Sequence, residues 1–158
     1  DLEAAERVSR RALEASERLG LFEGVADAHR TLGIIFFTWG KLSEAEQMHR
    51  KALEINERLG RLEGVAGAYG NLGIILKMRG DLDGAEQMHR KALEINERLG
   101  SLEGMANAYA NLGVVLDTQG ERAEAVRLWR QALGFYEQIG ASRVAGTVRR
   151  WLADEEGE

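Results

Sequence analysis

Few side chains in this sequence could bind a metal or catalyse a reaction, and the histidines are the first to consider. The chain has three histidines and no cysteine, so it offers no thiolate ligand and no cysteine nucleophile. His49 and His89 are 40 residues apart in identical local sequences, which places them on equivalent helices too far apart to share one zinc ion. We therefore expect both, and His29, to pack in the core. No Ser/His/Asp constellation or phosphate-binding glycine loop stands out, so we expect no catalytic site, no metal and no cofactor.

The composition argues against two classes of partner. The 158 residues include 26 acidic and 21 basic side chains, the formal net charge is -5 and the pI is about 5.4. Nucleic acid is therefore not expected as a ligand. No apolar run approaches the roughly 20 residues that span a bilayer, and no signal peptide opens the sequence, so no membrane partner is expected. Cytoplasm is the default compartment. Because Asp1 stands in place of Met and lies inside a repeat, we expect a piece of a longer protein.

The elements that must position these side chains follow a repeat of 40 residues. Residues 45–60 recur without a change as residues 85–100, and a glycine stands at every twentieth position from Gly20 to Gly140. Between the glycines, segments of about 18 residues contain no proline, and their apolar residues are three and four positions apart. This pattern predicts eight antiparallel helices of two alternating kinds, joined by short turns that the glycines close. Helices of the A kind are predicted over about 22–39, 62–79, 102–119 and, shorter, 142–153; those of the B kind over 2–19, 42–59, 82–99 and 122–139.

Three stretches carry a family pattern, W-x2-L-G-x2-Y followed by A-x3-F and a later A. The copies are His29-x2-Leu32-Gly33-x2-Phe36 with Ala45-x3-His49 and Ala52; Tyr69-x2-Leu72-Gly73-x2-Leu76 with Ala85-x3-His89 and Ala92; and Tyr109-x2-Leu112-Gly113-x2-Leu116 with Ala125-x3-Trp129 and Ala132. The chain thus resembles the tetratricopeptide repeat (TPR) family. It departs from that family in its period, 40 in place of 34, and in lacking the final proline. The Asn-Leu-Gly motif at Asn71 and Asn111 resembles the kinesin-light-chain and Pins-type subgroup, whose members are peptide-binding scaffolds.

The resemblance implies an all-α fold, a right-handed α-solenoid of antiparallel helix pairs. We expect one solenoid domain made of a half repeat (1–20), three repeats (21–60, 61–100 and 101–140) and a C-terminal capping helix with an acidic tail (141–158). The resemblance also implies that the A helices line a concave groove. On a helical wheel, Ile34, Ile74 and Val114 lie nearly opposite the core, in register. The outward face of the B helices, by contrast, is charged and indicates a plain solvated surface.

The sequence therefore predicts a scaffold that binds an extended or helical segment of a partner protein in this groove. The predicted binding residues are Asp27, Arg30, Thr31, Ile34, Gly67, Gly70, Asn71, Ile74, Lys77, Asn107, Asn111 and Val114. The aliphatic side chains would make apolar contacts, and the amides of Asn71 and Asn111 would hold the ligand backbone. Arg30 and Lys77 could meet acidic groups.

Alternatives remain open at this point. Neighbouring A helices could cover the aliphatic row, which would make it part of the core. Gly67 and Gly70 have no counterpart in the other repeats; a closely approaching ligand backbone would explain them, and so would drift in a redundant array. Trp151 could be a contact point or could cover the end of the core. The whole chain could also self-associate head to tail through its open ends, or serve as the regulatory array of a larger enzyme or transcription regulator.

Overall fold

The structure, a computed structural model, describes residues 1–156, and these residues form eight α-helices and no strand. The helices are α1 (Leu2–Leu19), α2 (Phe22–Thr38), α3 (Leu42–Leu59), α4 (Leu62–Met78), α5 (Leu82–Leu99), α6 (Leu102–Gln119), α7 (Arg122–Gln138) and α8 (Ser142–Glu156). The A helices are α2, α4, α6 and α8, and the B helices are α1, α3, α5 and α7. Each predicted boundary is correct to within one residue except the last.

The last helix is longer than the sequence pattern predicted. It continues to Glu156, whereas the prediction ended it near residue 153 with an acidic tail. Glutamate is a good helix former, so three further acidic residues extend α8 without a terminating signal. The rest of the predicted tail, Gly157 and Glu158, lies outside the described residues.

The turns between helices owe their shape to the glycines. All seven glycines of the 20-residue series have a positive φ, between 66° and 89°. At the first turn the Gly20 N–H donates to the Glu17 carbonyl, and the Leu21 N–H donates to the Ser16 carbonyl. These two bonds satisfy the last carbonyls of α1 and turn the chain back at once, so α2 begins only two residues later.

Small residues let consecutive helices approach closely within each repeat. Ala45, Ala85 and Ala125 are fully buried where B helices cross A helices. A Cβ atom built on Gly33 would lie 2.7 Å from the His49 ring, and one on Gly73 would lie 2.6 Å from the His89 ring. The prediction that His49 and His89 are core residues is therefore confirmed, and each imidazole occupies the space that a side chain on the facing glycine would need.

The C-terminal end of the core is closed by aromatic residues. Trp129 is buried and donates a hydrogen bond from its indole nitrogen to the Ala110 carbonyl oxygen at 3.2 Å. Trp151 of α8 is half-buried, and its ring centroid lies 5.4 Å from that of Trp129. Of the two interpretations of Trp151, the structure supports the one in which it covers the core. Among the helices described, none is both long and apolar enough to cross a membrane.

Candidate functional site

The faces of α2, α4 and α6 that point away from the B helices form the candidate site, which we call the A-helix groove. Ile34 is 44% exposed, and Ile74 and Val114 are half-buried. The row is therefore neither fully exposed nor sealed by neighbouring helices. Val114 packs against the C-terminal core cluster, and α4 contacts α6 directly, which accounts for the lower exposure of the second and third members.

The largest feature of the groove is a cavity of about 500 Å³ between α4 and α6. Six of the twelve predicted binding residues line it: Gly67, Gly70, Asn71, Ile74, Asn107 and Asn111. A Cβ atom on Gly67 or Gly70 would meet nothing within 4 Å, so neither glycine is required by helix packing. Their missing side chains leave room along α4 at the same point. Gly64, by contrast, packs against Asn56 and has no such freedom.

The amides of the groove differ in how many of their hydrogen bonds are already made. The side chains of Asn71 and Asn111 make no hydrogen bond to any described part of the chain, so their donors and acceptors face the cavity unpaired. The Asn107 Oδ1 accepts a hydrogen bond of 2.6 Å from the Tyr136 hydroxyl, which fixes its orientation. Thr31, also predicted, donates its hydroxyl hydrogen to the Asp27 carbonyl oxygen at 2.9 Å.

A smaller apolar cavity of about 130 Å³ lies between α2 and α4. It is lined by Ile34, Phe37, His49, Asn71, Ile74 and Ile75. Asn71 and Ile74 line both cavities, so the two are neighbours along α4. A size of 130 Å³ suits one aliphatic side chain. The groove thus combines an apolar hole with a larger polar cavity whose amides are unpaired.

The remaining predicted residues lie outside both cavities. Asp27 Oδ1 lies 4.0 Å from the Arg30 Nε and 3.7 Å from the Arg61 Nη1, so this carboxylate already has two cationic neighbours. Such exposed pairs contribute little to stability. Lys77 is half-buried and forms no ion pair with any of residues 1–156. Val114 packs on the core as described above.

Two buried histidines reach the walls of these cavities and are uncharged at neutral pH. Burial, with the Arg30 guanidinium as a second cause, lowers the pKa of His49 to about 4. Burial and the charge of Lys77 lower the pKa of His89 to about 4 as well. Each presents a neutral ring to the groove. No three His, Asp or Glu side chains come together as a metal site within residues 1–156.

Some residues that line the large cavity are not among the predicted binding residues. Glu63 and Glu103 line it without an ion-pair partner among the described residues, which adds negative charge to its wall. Glu63 lies four residues before Gly67 and Glu103 lies four residues before Asn107, so each shares a helix face with a predicted binding residue. Their position in the sequence could therefore have identified them. Asn96 and Ser101 also line it, although neither belongs to the A-helix face. Ser101 lies in the turn after α5 and Asn96 lies within α5 itself, and a helical wheel of the A helices describes neither.

Comparisons with known proteins agree with this architecture. The family model described as "Tetratricopeptide repeat" matches residues 1–58 and 64–138. None of the curated proteins is similar enough in sequence to be a match. The crystal structure of BtubC (BKLC) from P. vanneervenii aligns with a TM-score of 0.62 at 19% identity, covering 100% of this chain and 93% of that one. The TPR domain of Arabidopsis FLU aligns with a TM-score of 0.68 at 21% identity, covering 72% of this chain and 95% of that one. At these identities the likeness shows the fold, and it confirms the predicted α-solenoid.

Proposed function

Since the chain belongs to the tetratricopeptide repeat family, whose domains mediate protein–protein interactions, we propose that it binds a segment of a partner protein in the A-helix groove. TPR proteins are typically non-catalytic scaffolds, and the proposed activity here is binding alone. The observation that carries the proposal is the cavity of about 500 Å³ whose wall contains the unpaired amides of Asn71 and Asn111.

An extended polypeptide needs partners for its backbone N–H and C=O groups when it leaves water. Asn71 and Asn111 stand at equivalent positions of α4 and α6, and each amide can donate and accept at once. In this proposal they hold the backbone of the bound segment at two points one repeat apart. Gly67 and Gly70 let that backbone come close to α4, because no side chain of either residue fills the space.

The apolar hole beside Asn71 supplies the second part of the interaction. A branched aliphatic side chain of the partner would enter between Ile34, Phe37 and Ile74 and leave water. Complete burial of such a side chain contributes about 1.5–3 kcal/mol. Glu63 and Glu103, which have no ion pair with any described residue, would favour a cationic side chain at the other end of the segment.

The test is capture of partner proteins by the wild-type chain and by the double variant Asn71→Ala/Asn111→Ala. The matched control is Gln47→Ala/Gln87→Ala, which removes two amides from the exposed face of α3 and α5. We expect the control to retain every specific partner and the asparagine variant to lose at least one, with both variants keeping the helical circular dichroism of the wild type. Equal recovery of all partners by the asparagine variant would exclude these two amides from recognition.

A further inference from the structure

One core position of the first repeat differs from its equivalents and borders a cavity. His29 stands where the second repeat has Tyr69 and the third has Tyr109. The Tyr69 hydroxyl donates a hydrogen bond to the Glu57 Oε1 at 3.0 Å, and the Tyr109 hydroxyl donates one to the Glu97 Oε1 at 3.2 Å. These phenol groups thus link each A helix to the preceding B helix.

The first repeat retains the glutamate of this pair but has histidine in place of the tyrosine. Glu17 of α1 is 40 residues before Glu57 and occupies the equivalent position. Among the side chains of residues 1–154, none forms an ion pair or hydrogen bond with it. Its carboxylate is therefore an acceptor without the donor that its two equivalents have.

A cavity of about 470 Å³ lies at this point between α1, α2 and α3. Its lining residues are Leu13, Ser16, Glu17, Gly20, Phe22, Val25, His29, Lys51, Ile55 and Arg58. A second cavity of about 180 Å³ shares Phe22, Ile55 and Arg58 with it, so the two are neighbours. The Phe22 ring at their common wall is 59% exposed. This outer surface, which the sequence indicated as plain and solvated, is concave and partly apolar here.

The polar side chains of the cavity lack partners. His29 is only 6% exposed, and its Nδ1 has no hydrogen-bond partner. A buried polar atom of this kind is uncommon, because leaving it unpaired costs about 1–3 kcal/mol. Lys51 forms no ion pair with a described residue. Lys51, Glu17 and His29 all line this cavity, and burial with the charge of Lys51 lowers the pKa of His29.

We propose that this cavity is a second binding site and that it takes a phenol group, the group that the other two repeats place there themselves. Glu17 accepts the hydrogen bond of the phenol hydroxyl, as Glu57 does from Tyr69. Lys51 lies over the aromatic ring, as Lys91 does at 5.2 Å from the centroid of Tyr69. While it donates its hydrogen to Glu17, the hydroxyl oxygen can accept a hydrogen bond from His29 in the tautomer that carries its proton on Nδ1.

The phenol can belong to a free small molecule or to a tyrosine side chain of a bound protein. Two probes separate these sources: p-cresol, which is the tyrosine side chain alone, and the blocked peptide acetyl-Gly-Tyr-Gly-amide. Toluene is the matched control, since it lacks only the hydroxyl. The imidazole signals of His29 in NMR spectra report occupancy. We expect p-cresol to shift them saturably and toluene to bind about tenfold more weakly or worse, as a hydrogen bond to a charged acceptor predicts.

Binding of the peptide as well as p-cresol identifies a tyrosine of a protein partner as the ligand, and binding of p-cresol alone identifies a free phenol. Either result supports the site. Equal binding of toluene and p-cresol would overturn the proposal, and so would the absence of a saturable shift up to the solubility limit of p-cresol.

Three substitutions locate the site. His29→Tyr places a phenol in the cavity and is expected to abolish p-cresol binding while the chain folds as before, because tyrosine already stands at this position in two repeats. Glu17→Gln, on an exposed side chain, should weaken p-cresol about tenfold and leave toluene unchanged. Tyr69→His should open a second site of the same kind beside Glu57 and Lys91. Undiminished p-cresol binding by both His29→Tyr and Glu17→Gln would place the ligand elsewhere and refute the assignment.

Discussion

Gly67 and Gly70 allow a test in which stability and binding should change in opposite directions. Both lie in the interior of α4, where glycine is less favourable than alanine by about 0.8–1.0 kcal/mol. A Cβ atom at either position meets nothing within 4 Å, so neither substitution introduces a clash. The double variant Gly67→Ala/Gly70→Ala should therefore be more stable than wild type by about 1.5–2 kcal/mol. For a chain of this size that corresponds to a rise in melting temperature of roughly 3–8 °C.

The matched control is Gly73→Ala in the same helix. Its Cβ atom would lie 2.6 Å from the His89 ring, which is buried and has no space to move into. We expect this variant to lose about 1–3 kcal/mol, as overpacking of a core does. Helix propensity alone predicts the same gain for all three glycines, so the opposite sign of the control isolates the effect of packing. Thermal unfolding followed by circular dichroism measures both.

The same two methyl groups project into the cavity of about 500 Å³ that we propose binds the partner. If a ligand backbone approaches α4 there, the double variant should capture less partner than wild type despite its higher melting temperature. Increased stability with unchanged capture would favour the alternative, that these glycines arose by drift in a redundant array. Decreased stability would refute the geometry, because it would mean that the space above the two glycines is filled.

Two further predictions concern the whole chain. The buried His49 and His89 have a pKa of about 4 in the folded state, against about 6.5 in the unfolded chain, so the unfolded chain binds more protons below pH 6.5. Above about pH 6.5 the free energy of unfolding should not depend on these two residues. Between about pH 6.5 and 4 it should fall by up to about 3 kcal/mol per histidine. Melting temperatures that stay constant across this range would contradict the burial of both rings. The open face of α1 exposes Val8, at 66%, Leu19, at 65%, and Ala12, whose equivalent Ala52 in α3 is buried. Complete burial of two such aliphatic side chains contributes about 3–6 kcal/mol, whereas association costs about 4–15 kcal/mol. Head-to-tail stacking through so small an apolar face should therefore be weak, and we expect light scattering to give the mass of a monomer across a concentration series; a mass that rises with concentration would show the opposite.

Most of the fold could be predicted because the same sequence signals for turns and helices occur in every repeat. A glycine every 20 residues gives the turns, and an apolar residue every three or four positions gives the helices and their core faces. The pattern failed at the end of α8, where no glycine directly follows the predicted end at residue 153 and acidic residues continue the helix. Boundaries follow from local signals, so they are least certain where such a signal is missing.

The candidate site could be predicted in position but not in shape. The helical wheel placed Asn71, Ile74 and Asn111 on one face, and all three line the large cavity. It could not show that Val114 would be drawn into the C-terminal core, because that depends on how α8 closes the solenoid. It also could not show the cavity beside His29. That space is lined by side chains of three helices, whereas a helical wheel treats each helix separately, although the sequence does contain the substitution at His29 itself.

Residues 45–60 and 85–100 have the same sequence, and this bears on which residues can determine the specificity of partner binding. The same B-helix surface packs against α2 and α4 in one case and against α4 and α6 in the other, so its core positions impose the same demands on each A helix. Gly33 and Gly73 meet this demand by leaving room for a histidine ring. The groove positions do not pack against the B helices in this way, and there α2, α4 and α6 differ in sequence. Thr31 is equivalent to Asn71 and Asn111, and Arg30 is equivalent to Gly70 and Ala110. If a partner binds in the groove as proposed, we expect discrimination between partners to depend on these unequal A-helix positions, since B-helix residues that line the large cavity, such as His89 and Asn96, have identical counterparts in His49 and Asn56.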